Sequence, residues 1–148
     1  MTLDELAASL PNGFHDAELK TLAIDYEKRE VRLVLDLWVG DMGQDPVNRE
    51  SYRLCEVLLS GLRYWIVEPP DPRYSYWQAG APRIDAGPVE RLETKTTHLP
   101  PTPPDVFVNW IYSPDSNSFA YVAAEQARLT WLGEKMVREY SGIGESKN

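Results

Sequence analysis

The sequence predicts an α+β fold that is mostly β. It should form an antiparallel sheet or sandwich of about seven strands, with a short N-terminal helix and a second short helix near the C-terminus. Three observations lead there. Residues 16–39 read as one long hairpin, and its second arm sets Val31, Leu33, Leu35, Leu37 and Val39 at every second position. That is the period of a strand with one buried face. Similar alternating segments recur between turn-rich stretches further along. Finally, 148 residues with 43% apolar side chains and five Trp match one domain, spanning 1–148, that buries a core without metal or disulfide staples.

The elements follow in chain order. Over residues 2–10, Thr2 and Glu5 make a capping box, and Leu3, Leu6, Ala7 and Leu10 form one apolar stripe. Pro11, Asn12 and Gly13 end this helix. The first strand, 16–26, slips in parity: Ala17 and Leu19 share one face, Leu22, Ile24 and Tyr26 the other. A bulge near Lys20 and Thr21 restores a single buried face. The turn over 27–30 lacks an Asn-Gly pair and calls for a four-residue loop. Leu33, Leu35 and Leu37 should then share a core with Leu22 and Ile24. Trp38 falls on the opposite face and needs a cover.

Residues 40–50 form a turn-rich loop. Residues 52–67 are too long for one flat strand, and Ser60-Gly61 marks a kink between two halves. From 68 to 104 nine prolines punctuate the chain, which predicts a surface excursion with one edge strand over 89–95. Strands return over 105–112, 119–124 and 128–132, with a bend at Glu125 and Gln126. Residues 134–140 suit a short helix, with Met136, Val137 and Tyr140 on one side.

Composition narrows the function. A net charge of −8 argues against nucleic acid, whose phosphates require a cationic surface. It suits a basic protein partner met through electrostatic steering. Cys55 stands alone in an apolar run, as a buried thiol would. Asp4 and Glu5 occupy the place where a signal peptide carries cations, and no run reaches the ~18 apolar residues of a membrane span. The expected setting is the cytoplasm, without membrane contact.

Signatures of chemistry are missing. Asp41, Asp45, Asn48 and Glu50 depart from the calcium-loop spacing. No Gly-x-Ser-x-Gly elbow, His-Glu-x-x-His, Cys cluster or phosphate-binding Gly-rich loop occurs, so no metal and no cofactor is expected. His15 and Asp16 are sequence neighbours, and strand neighbours point to opposite faces. The run from Pro100 to Pro104 fits polyproline II without basic anchors beside it, as a stiff connector does. The candidate binding residues are Arg73, Tyr74, Tyr76 and Trp77, since Tyr, Trp and Arg dominate interface hot spots. They predict a protein partner or self-association as a homodimer. The alternatives are a small hydrolase using His15 and dispersed carboxylates, and a carbohydrate-binding module that stacks sugars on these rings.

Asn12-Gly13-Phe14-His15-Asp16-Ala17-Glu18-Leu19, followed by the hairpin, resembles the opening of small bacterial proteins of unassigned function, some of them similar to immunity proteins of polymorphic toxin systems. The resemblance covers residues 12–67 and implies an antiparallel meander and an immunity-like or regulatory role, without catalytic residues.

Overall fold

A computed structural model describes residues 1–41, 43, 45–74, 80–92 and 98–138. After helix α1 (Leu3–Ala8), β1 (Ala17–Asp25) and β2 (Glu30–Trp38) form the expected hairpin. A short helix α2 (Pro46–Arg49) precedes β3 (Ser51–Ser60) and β4 (Tyr64–Val67). β5 (Arg83–Pro88), a 3-10 turn (Val89–Arg91), β6 (Phe107–Ser113), β7 (Ser118–Ala124), β8 (Gln126–Trp131) and β9 (Met136–Val137) follow. All pairings are antiparallel, in the order β4-β7-β6-β5-β1-β2-β3-β8, with β9 added to β3. The mostly-β class holds, with nine strands among the described residues rather than about seven. No helix among the described residues is long and apolar enough to cross a membrane.

One corner gives the sheet its shape. β3 continues into β4 and β7 into β8, and the two bent strands stay paired throughout, β3 with β8 and β4 with β7. At the bend the Glu125 N–H donates to Ser60 O at 3.0 Å and the Arg63 N–H to Ala123 O at 2.8 Å. Gly61 turns there with φ 64°, and a Cβ on it would stand 2.5 Å from Glu125 Oε2. Only glycine fits both the backbone and the space. With each bent strand counted once, the pairings run in a ring: β2, β3/β4, β7/β8, β6, β5, β1 and back to β2. The sheet therefore rolls onto itself.

The core fills the roll. Val31, Leu33, Leu35 and Leu37 of β2, Cys55, Val57 and Leu59 of β3, and Ile84, Ile111 and Val122 are buried together. The bulge falls where the parity slip requires it, between Leu19 and Thr21. Helix α1, with Thr2 Oγ1 accepting from the Glu5 N–H at 3.0 Å, sets Leu3 and Leu6 into this core and packs on β8 and β6. Trp38 receives its cover from the 40–50 loop, donating from Nε1 to Arg49 O at 2.6 Å.

Several expectations are corrected. Residues 134–138 form no helix; Met136 and Val137 pair with Tyr52 and Ser51 as β9, which gives a β-branched residue and an exposed Met a ladder instead of a turn of helix. Of the edge strand expected over 89–95, residues 89–91 make a 3-10 turn instead, and residues 93–95 lie outside the described residues. The 68–104 run is not all surface, because β5 lies centrally in the sheet with Ile84 buried. It tolerates its proline because Pro88 is its last residue. Leu22 leaves the core for a cleft.

Candidate binding cleft

Parity and the bulge aim Leu19 and Leu22 of β1 inward, toward Trp65 and Val67 of β4. These four side chains form the walls of a cleft of about 270 Å³. Its floor is core: Leu33, Ile84 and Ile111, all buried. Phe119, Ala120 and Pro82 complete the apolar lining, and Ser113, Ser116 and Ser118 form one rim. None of the thirteen lining residues is charged. The lips are open, since Leu22 is 38% and Val67 62% exposed. Burying such side chains supplies a hydrophobic drive for association, from which the costs of immobilising the partners are subtracted.

Two larger hollows suit ligands less well. One, of about 620 Å³, is bounded by β1–β2 residues 23–27, 30 and 32 and amounts to the outside of a single hairpin end. The other, of about 510 Å³, lies between α1, the 3-10 turn and the proline run, and carries Asp4, Glu90 and Arg91. Asp4 and Arg91 pair there at 3.8 Å.

The cleft exists because the roll is incomplete on this side. β5 pairs with β1 only at Ala17 and Glu18, and Pro82 O then accepts from the Leu19 N–H at 2.9 Å. Pro82 has no N–H to give in return, so the ladder stops. Beyond it, residues 21–25 of β1 pair with β2 alone, and β4 pairs with β7 alone, among the described residues. Each strand edge presents N–H and C=O groups away from its neighbour.

Of the candidate residues, Arg73 and Tyr74 lie on a turn stapled beside the serine rim. The Asp71 N–H donates to Ser116 O at 2.9 Å, and Asn117 Nδ2 donates to Asp71 Oδ2 at 3.1 Å. Arg73 forks onto Asp71 with Nε at 3.1 Å and Nη2 at 2.8 Å, which holds the Asp71 carboxyl well below the usual carboxylate range. Both side chains are exposed, and neither lines the cleft. Tyr76 and Trp77 lie outside the described residues. The cleft walls were hidden from sequence reading; the signal for them was Leu22, which the parity slip moves to the inner face at the very point where β5 runs out.

His15 meets two carboxylates. Its Nδ1 lies 2.9 Å from Asp85 Oδ2 and its Nε2 3.5 Å from Asp16 Oδ2. The hydrogen bond to Asp85, and then the charge of Asp16, raise the imidazole pKa against the opposing effect of burial. The ring is 57% exposed and lines none of these hollows. Nearby, Arg138 fastens the end of β9. It donates to Glu18 Oε1 at 2.7 Å, pairs with Asp36, and stacks 4.3 Å from the centre of the Tyr52 ring. Burial opposes ionisation of Glu18, yet hydrogen bonds from Lys20 and Arg138 hold its pKa below the usual value. No group of three or more His, Cys, Asp or Glu among the described residues could hold a metal ion.

No protein-family model, curated protein or solved structure matches the chain.

Proposed function

We propose that the chain is a non-enzymatic protein-binding module, immunity-like or regulatory, that engages its partner at the cleft between β1 and β4. One observation carries this reading: an uncharged cleft with a floor of core side chains opens between two exposed apolar lips, Leu22 and Val67. Contiguous exposed apolar surface rimmed by polar groups marks interaction sites. The net charge of −8 adds long-range attraction for a basic partner. Arg73 and Tyr74 flank the rim and supply polar and aromatic contacts at its edge.

The test is affinity capture at physiological salt with wild type and a Leu22→Asp, Val67→Asp double variant. A partner held by wild type and lost by the variant, with unchanged circular dichroism, is the expected result. Retention of every partner by the folded variant would remove the cleft from the reading. A hydrolase reading has one observation behind it, the two carboxylates on His15. Turnover in a hydrolase screen, abolished by His15→Ala without loss of fold, would favour it over binding.

A further inference from the structure

We infer that the cleft takes its occupant as an added β-strand: an extended partner segment with uncharged apolar side chains at every second position, laid along the free edge of β4. This deepens the binding reading above and rests on it. The first argument is backbone chemistry. β4 has β7 on one edge and, among the described residues, no strand on the other. Residues 21–25 of β1 are likewise paired only with β2. An extended segment satisfies such N–H and C=O groups by forming a ladder. A helix, with its hydrogen bonds already made internally, would leave them unpaired.

The second argument is side-chain period. Trp65 and Val67 stand two residues apart on β4 and both face the cleft. A neighbouring strand shares that period, so alternate side chains of the occupant enter the cleft while the others face water. The third is charge. The absence of any charged lining residue requires an uncharged inner face, because an ion buried there would have no partner. The chain outside the cleft is acidic overall, with 23 Asp and Glu against 15 Lys and Arg. The occupant's solvent-facing positions therefore favour basic residues.

The probe is a labelled synthetic peptide, acetyl-Lys-Val-Lys-Val-Lys-Val-amide, compared with the same peptide N-methylated at the residues that would donate to β4. Fluorescence anisotropy reads binding to the full chain. Binding by the parent peptide, weakened about tenfold or more by N-methylation and lost with Leu22→Asp, Val67→Asp, is the expected result. Equal binding of the N-methylated peptide would overturn strand addition. So would sedimentation showing that a second copy of this chain fills the cleft. If the peptides fail to bind while the double variant still loses its captured partner, the strand inference falls and the binding module stands.

Discussion

β2 and the β1–β4 seam are built from the same residue types and end differently. β2 is paired on both edges, with β1 and along nine residue pairs with β3. Its inner side chains vanish from solvent, Leu35 to 1%. At the seam, Leu22 is an equally apolar inner residue, yet more than a third of it stays exposed because no strand among the described residues lies beyond β1 there. Hydrophobic pattern decides which face turns inward; it takes a second paired neighbour to make that face core. The proline at position 82 separates the two outcomes.

The largest expected effect tests the closed side. Leu35→Ala should destabilise by about 2 to 5 kcal/mol in urea unfolding, as removal of a fully packed Leu does. A loss under about 0.5 kcal/mol would show that β2 is not the centre of the core. Cys55 offers a second readout on the same layer. Burial pushes its thiol up to about 12, so it should stay protonated and unreactive toward a thiol reagent at pH 8 in the native state. Labelling that tracks unfolding is expected, and fast native labelling would show that the layer opens.

The corner comes next. Gly61→Ala forces a Cβ onto a left-handed backbone against Glu125, at about 1 to 2 kcal/mol for the conformation alone. Adding Glu125→Ala should recover the steric cost owed to the carboxyl end only, since the residue-125 Cβ that alanine keeps stands 2.7 Å from the new Cβ, and should leave the backbone part. Full recovery would mean that the conformation carries no strain.

Leu22→Ala gives the sharpest contrast with Leu35. Its side chain already contacts water, so a loss of about 1 kcal/mol or less is expected. A loss equal to that of Leu35→Ala would mean that the seam is closed in solution.

Local signals explain how much of this was legible. The β2 alternation, the bulge at Lys20 and Thr21, the Thr2 cap and the Gly61 kink each reside in neighbouring residues, and sequence reading reaches them directly. Pairing partners do not. Nothing near residues 64–67 says that β4 joins β7 rather than folding back on β3, and that choice brings Trp65 opposite Leu22. β5 was obscured for another reason: prolines at 82 and 88 bracket it, and only the exact placement at its ends lets a central strand survive them. β9 has two residues, too few to show any period, and the seat of Arg138 on Glu18, Asp36 and Tyr52 joins segments 86 to 120 residues apart.

The smallest expected effect concerns the other end of the β1–β5 ladder, away from Pro82 and the open seam. His15 lies two residues before Ala17, the start of β1, and Asp85 lies in β5, so their 2.9 Å contact ties the two strands at the end of their short ladder opposite Pro82. The contact raises the His15 pKa in the folded chain. A raised folded value means that folding binds the proton more tightly. The added stability is thus fully present below the unfolded value of about 6.5 and is lost as pH rises through the folded value. Exposure of the ring keeps this to a few tenths of a kcal/mol, about the worth of a surface pair. The His15 titration followed by NMR should move to lower pH in Asp85→Asn. An unmoved titration would assign the shift to Asp16, next in sequence, and would show that this contact with β5 does not clasp β1 where their pairing begins.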